Sequence, residues 1–141
     1  KGADVLVRTL KRHGTRCVLV SGGFDIFTGS VGATLGFDRD VSNRLVIDGA
    51  ALTGDVSMPI VDKDTKKQVL EEECRRLAIT PELSLSIGDG ANDIPMLQAA
   101  GIGIGYFAKP LVQQATPHQI RHTDLVSVLY MQGYRREEIA F

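Results

Sequence analysis

Leu83-Ser-Leu-Ser-Ile-Gly-Asp-Gly-Ala-Asn-Asp-Ile-Pro-Met96 is the stretch on which the reading of this chain turns. Leu83–Ile87 has the apolar alternation of a strand, and Ala91–Ala100 the pattern of a helix. A strand that ends in Gly88-Asp89-Gly90 leaves a carboxylate and exposed backbone N–H groups at a sheet edge. That arrangement suits a hard cation and a phosphate. Asp89 falls on the loop, while Asn92 and Asp93 fall in the first helical turn and face back toward it. A helix start needs only one capping side chain. Two carboxylates and an amide converging there repel one another unless a cation offsets them, so the residues point to metal or phosphate chemistry.

Outward from this stretch, helix and strand patterns alternate. Residues 2–13 carry an apolar stripe (Val5, Leu6, Leu10) and predict a helix ended by Gly14. Arg16–Val20 reads as a strand that stops at Ser21-Gly22-Gly23, followed by a helix with Phe24, Phe27 and Val31 that closes near Gly36. Arg44–Thr53 predicts a hairpin with Asp48-Gly49 as its type I′ turn, the one interruption of the alternation. Lys63–Ala78 predicts a charged amphipathic helix with Val69, Leu70 and Leu77, and Pro81 lies just beyond it. Ile102–Tyr106 reads as a further strand, Pro110–Ala115 as a helical turn, and Leu125–Met131 as a helix capped by Asp124. Strands separated by such helices predict an α/β fold with a doubly wound parallel sheet. Ligands of such sheets bind at the carboxyl ends of the strands, where the loops at 21–23 and 88–90 are expected to open.

The 141 residues fit a single domain, and the composition (43% hydrophobic, 23% charged, net charge −1) is that of an ordinary globular protein. No basic cluster suggests nucleic acid, and no apolar run approaches a membrane span. Cys17 and Cys74 lack metal-ligand spacing and are expected to be reduced thiols, in keeping with a cytoplasmic protein. Ser21-Gly22-Gly23 offers a hydroxyl and N–H donors to an anion, although the same residues describe an ordinary turn. Lys66 and Lys67 read first as a solvated helix face. Either could neutralise a phosphoryl group if it points to the strand edge. Asp62-Lys-Asp-Thr65 imitates a nucleophile signature but follows no strand-length run, since Met58-Pro59-Ile60-Val61 is short and contains a proline; it is rejected. His13, His118 and His122 are expected at the surface.

Taken together, these motifs resemble the phosphoserine phosphatase family of the haloacid dehalogenase-like superfamily. Val20-Ser-Gly-Gly-Phe24 is similar to its second motif. Leu35-Gly-Phe-Asp38, Asn43 with Leu45, Asp48-Gly49 and Thr53-Gly54 resemble the segment that follows. Lys66 with Leu70 matches the third motif, and Gly88-Asp-Gly-Ala-Asn-Asp93 with Met96 the fourth. Ala100-Gly-Ile-Gly-Ile and Ala108-Lys-Pro110 continue the likeness. The resemblance implies a Rossmann-like core and Mg²⁺-dependent hydrolysis of O-phosphoserine through an aspartyl-phosphate. It implies that Ser21 hydrogen-bonds the transferring phosphoryl group, that the Gly22 backbone and Asn92 hold the substrate, and that Lys66 offsets charge on the nucleophile. Asp89 would ligate Mg²⁺, and Asp93 would orient a metal-bound water or Lys66.

The departure from the family is the absence of its first motif, a strand ending in Asp-x-Asp-x-Thr, and of the small helical cap that follows it. The expectation is therefore a partial core domain over 1–141 whose central nucleophile strand comes from a missing N-terminal segment or a second chain. Alone, these residues are expected to be neither stable nor active. Another small phosphomonoester, a phosphotransfer acceptor, or a non-catalytic fragment are the alternatives to phosphoserine hydrolysis.

Overall fold

The computed structural model describes residues 1–49, 51–58 and 60–141, with the side chains of Phe27 and Leu52 outside that description. It divides into two compact units, residues 1–61 with 124–141 and residues 62–123, and each is described by itself.

The first unit begins with α1 (Ala3–Arg12), which buries Leu6, Val7, Thr9 and Leu10 and ends in Lys11 and Arg12, cations that suit a helix C-terminus. β1 (Val18–Phe24) leads into α2 (Asp25–Leu35), which ends at Gly36 with φ +79, and the chain returns as β2 (Arg39–Asn43). β1 and β2 are parallel, with Val18 opposite Arg39 and Val20 opposite Val41; the register then shifts, so that Phe24 faces Asn43. The strand expected to stop at Ser21 therefore continues to Phe24, with Ser21–Gly23 forming an irregularity inside it. The side chain of Asn43 stands in for ladder bonds lost there: its Nδ2 donates to Gly22 O (2.8 Å) and its Oδ1 accepts the Val61 N–H (2.7 Å). β2 was not legible beforehand, because Arg-Asp-Val-Ser-Asn lacks an apolar alternation.

The hairpin is present as antiparallel β3 (Leu45–Asp48) and β4 (Ala51–Val56). Asp48 pairs with Ala51 rather than occupying the turn, and Gly49 takes φ +62 as a turn residue. Ala50 lies outside the described residues, as does Pro59 of the rejected 58–61 run. Val31, expected on an apolar helix face, is 48% exposed. The unit closes with α6 (Ser127–Met131) and a C-terminal strap in which Ala140 N–H donates to the fully buried Thr9 Oγ1 at 2.9 Å.

Asp38 ties three segments of this unit together. One carboxylate oxygen accepts the Cys17 N–H (2.8 Å) and the other meets Lys11 Nζ (2.7 Å). The Cys17 amide, and after it the Lys11 ammonium, hold its carboxyl below the ordinary value. A depressed carboxyl stabilises the fold above its unfolded pKa of about 4, and that contribution fades as pH falls through the folded value. Asp38→Ala is expected to cost on the order of 1 kcal/mol near neutral pH. Urea titrations of both proteins should converge below about pH 4; a gap independent of pH would exclude an ionised Asp38 as the cause.

The second unit opens with α3 (Lys63–Arg76), started by Asp62, whose carboxylate accepts the Thr65 N–H (2.9 Å) and hydroxyl (3.0 Å). Asp62 is thus a helix cap, which explains the imitation of a nucleophile signature. β5 (Leu85–Gly88), α4 (Ile94–Ala99), β6 (Ile102–Tyr106), α5 (Pro110–Ala115) and β7 (His118–Ile120) form consecutive strand–helix–strand crossovers. All three strands are parallel, in the order β5-β6-β7, with Ile87 opposite Ile104 and Gly105 opposite Gln119. β5 starts later than expected because Pro81–Leu83 forms a 3₁₀ turn. The expected helix from Ala91 likewise begins as a 3₁₀ turn, Ala91–Asp93, and becomes α-helical at Ile94. Leu97, Ala108 and Val112 form the core beneath these helices, with Ile94 packed against them. Fully burying a side chain of this size contributes about 1.5–3 kcal/mol. Gly103 lets β6 lie against α4, since a Cβ there would sit 2.1 Å from the Leu97 carbonyl oxygen.

Among the described residues, β1 bonds only β2 and β5 bonds only β6. No helix among the described residues is long and apolar enough to cross a membrane.

Candidate functional site

A buried ion pair organises the site in the second unit. On α3, Lys66 shares a face with Val69, Glu73 and Cys74, all buried, whereas Lys67 projects outward and pairs with Glu71 at 3.6 Å. The adjacent lysines that looked alike in sequence are thereby separated by helical phase. Lys66 Nζ lies 2.5 Å from Asp93 Oδ1, and the two side chains are 8% and 6% exposed. Charges this dry persist only as a hydrogen-bonded pair.

Asp93 does more than bind the lysine. Its Oδ2 accepts the backbone N–H groups of Asp89 and Gly90, each at 3.0 Å, while its own N–H donates to Gly90 O at 2.9 Å. One carboxylate therefore fastens α3 to the loop that leaves β5. The fit depends on Gly88, where a Cβ would come within 2.5 Å of Asp93 Cβ. The electrostatic problem posed by Asp89 and Asp93 is met at Asp93 by Lys66 and these amides.

Asp89 is left for other work. Its N–H is taken by Asp93 and its C=O by the Lys109 N–H (3.0 Å), yet its side chain is exposed and has no partner among the described residues. A lone carboxylate on a backbone held from both sides fits one corner of the oxygen-rich shell that Mg²⁺ prefers. Among the described residues, no group of three or more His, Cys, Asp or Glu is placed to complete such a shell. Asn92 is exposed beside it, with its Oδ1 2.8 Å from where a Cβ on Gly90 would lie.

Ser21 and Gly22 belong to the first unit. Ser21 is half-buried, and its Oγ accepts the Gly23 N–H at 3.0 Å, which bends the strand so that Gly22 and Gly23 are exposed. Sequence reasoning missed three parts of these sites: the Asp89 and Gly90 amides as Asp93's donors, the Lys109 amide, and the buried Asn43 clamp beside Gly22. Backbone donors leave no residue-type signature, and an asparagine in a loop reads as a turn. Cys17 and Cys74 are buried free thiols, burial pushing the Cys17 thiol up, and His13, His118 and His122 are exposed.

The site is thus built on parallel strand–helix–strand units, with an acidic loop after a strand and a buried lysine fastened to it. The chain belongs to the haloacid dehalogenase-like hydrolase family, whose model matches residues 2–98. Within that family it is 41% identical over 138 residues to phosphoserine phosphatase SerB2 of Mycobacterium tuberculosis, covering 98% of this chain and 34% of that protein. A substrate-bound phosphoserine phosphatase complex superposes with a TM-score of 0.87 at 35% identity, over 93% of this chain and 62% of that one. A structure described as a phospho-aspartyl intermediate analogue of phosphoserine phosphatase gives 0.86 at 35% identity, over 93% and 63%. The chain spans roughly a third to three-fifths of the length of the curated relatives it matches, from 34% to 61%.

Proposed function

We propose that this chain supplies the phosphate- and metal-binding part of a cytoplasmic, Mg²⁺-dependent phosphoserine phosphatase that converts O-phosphoserine and water to serine and phosphate. The observation that carries this reading is the buried Lys66–Asp93 pair fastened to a loop whose Asp89 carboxylate has no partner among the described residues. Solved relatives described as a substrate complex and as a phospho-aspartyl intermediate analogue support the substrate and the covalent route.

The nucleophile is assigned to an aspartate on a strand outside residues 1–141; among the described residues, β5 bonds β6 on one side and has no ladder partner on its other edge. Its carboxylate oxygen attacks phosphorus, the P–O bond to serine breaks, and water then cleaves the aspartyl-phosphate to release phosphate. Such transfers depend mainly on positioning and charge neutralisation. Lys66 offsets negative charge on the nucleophile and the phosphoryl oxygens, and Asp93 holds its ammonium in place. The Ser21 hydroxyl and the Gly22 backbone donate to the phosphoryl oxygens, and Asn92 contacts the substrate phosphate. Asp89 would hold Mg²⁺, which when bound would draw charge from the phosphoryl group.

Asp89→Asn removes the anionic ligand while keeping its shape. In the full-length protein it is expected to lower phosphoserine turnover at fixed Mg²⁺ by at least ~100-fold with little change in melting temperature. Full activity in this variant would refute the role of Asp89. Comparable kcat/KM for phosphoserine, phosphothreonine and p-nitrophenyl phosphate would refute the substrate.

A further inference from the structure

We propose that the left-handed turn at Phe107, acting through the Lys109 amide, is a positioning device that sets the direction in which Asp89 presents its carboxylate to a divalent cation. The inference rests on the reading of Asp89 as a metal ligand.

Phe107 follows directly after β6 and adopts φ +46, a conformation that a bulky residue with a Cβ avoids. Burial of its ring does not compensate, because the residue is 57% exposed and its ring contact is edge-to-face with neighbouring Tyr106 at 4.9 Å. What the turn achieves lies in the backbone. Phe107 N–H donates to Ile120 O (2.9 Å), prolonging the β6–β7 ladder by one bond. Ala108 then turns into the core with Leu97 and Val112, and Lys109 N–H reaches Asp89 O at 3.0 Å. The turn is itself anchored on α5, where Lys109 O accepts from Val112 and Gln113 and Ala108 O accepts from Gln113 Nε2 at 2.6 Å. A strained residue persists only where its surroundings over-determine it, and such residues gather at functional sites.

The consequence for Asp89 is specific. Its N–H belongs to the peptide preceding its Cα and its C=O to the peptide following it. Asp93 fixes the first and Lys109 the second, so only the side-chain torsions of Asp89 remain free. A ligand on a fixed backbone loses less freedom on meeting a cation.

Lys109 has φ −63, within the range of proline, so Lys109→Pro removes the N–H together with the charged side chain. Lys109→Ala keeps the N–H and removes the charge. Mn²⁺ binding to the full-length protein is measured by calorimetry, with amide hydrogen exchange in the metal-free state as a readout independent of turnover. Lys109→Pro should weaken Mn²⁺ binding about tenfold and speed exchange at Asp89 and Gly90, and Lys109→Ala should change neither. Parent-like Mn²⁺ affinity in Lys109→Pro, or equal loss in both variants, overturns the inference. If Lys109→Pro does not fold, Phe107→Gly, which keeps the left-handed turn, is compared with Phe107→Val, which disfavours it. Affinity reduced only in the valine variant supports the inference, and equal affinity overturns it. Failure of the parent itself to bind Mn²⁺ would defeat the metal reading and this inference together, an outcome distinct from any difference among variants.

Discussion

Lys66→Met is expected to destabilise the protein by about 3–5 kcal/mol and to reduce phosphatase activity by two or more orders of magnitude. The two effects have one origin. Lys66 Nζ is 2.5 Å from Asp93 Oδ1, and neither side chain is more than 8% exposed. Methionine matches the apolar stem of lysine, so lost packing contributes little. Removing the ammonium leaves a buried carboxylate with only the Asp89 and Gly90 amides to support it. Loss of one partner of a buried pair is far costlier than loss of both, because the remaining charge has given up its water without compensation. Lys66→Met combined with Asp93→Asn should therefore recover part of the stability while leaving activity lost. Urea unfolding of the two single variants and the double variant measures this coupling. A Lys66→Met penalty under ~1 kcal/mol would place the pair among weak, solvated contacts.

Gly88→Ala is expected to be nearly as damaging, although it adds a single methyl group. The added carbon would stand 2.5 Å from Asp93 Cβ, 2.6 Å from Cγ and 2.7 Å from Oδ2. Carbon atoms pack at about 3.5–4.0 Å, so something must move by roughly an ångström. Asp93 cannot yield readily, because Lys66, Asp89 N and Gly90 N hold its oxygens. Overpacking of this kind costs about 1–3 kcal/mol. A displacement of about 1 Å at a positioned group can cost about 100-fold in rate. The informative control is Gly29→Ala in α2, where the nearest atom to a new Cβ is 3.9 Å away. That substitution should be neutral, or stabilising by up to about 1 kcal/mol from helix propensity. Equal tolerance at both positions, judged by thermal midpoint and turnover, would contradict the packing seen at Gly88.

The pairing of Lys66 with Asp93 shows how a site can be legible in outline and hidden in detail. Gly-Asp-Gly-Ala-Asn-Asp after an apolar run placed a carboxylate loop at the end of a strand, because residue types restrict local conformation strongly at glycines and helix starts. Residue types alone left both aspartates as candidates for a cation, and only the resemblance divided them, giving Asp89 to Mg²⁺ and Asp93 to a metal-bound water or Lys66. In the structure Asp93 turns inward to the Lys66 ammonium and two amides while Asp89 points to solvent. Ser21-Gly22-Gly23 misled in the opposite direction. Glycine and serine punctuate chains, so the strand was expected to end there. Instead the Asn43 side chain carries it through to Phe24. β2 and β7 escaped notice because a short strand such as His118–Ile120 takes its character from its neighbours rather than from its own propensity.

By itself the sequence determined the alternation of helices and strands, the parallel α/β class, the acidic loop after β5, and the likeness that carries Ser21, Lys66, Asp89, Asn92 and Asp93 as candidates. These follow from local rules of periodicity, turn chemistry and capping, which act over a few residues. Only the tertiary structure showed Lys66 buried and Lys67 at the surface, the bond from Lys66 to Asp93 that the likeness had given as one of two roles for Asp93, and the closeness of Asp93 to any Cβ at position 88. It alone showed the Asn43 clamp and the Lys109 amide on Asp89. Those choices depend on desolvation and on contacts between residues distant in the chain, 27 positions apart for Lys66 and Asp93. A charge buried at long range can be read only where its partner is seen.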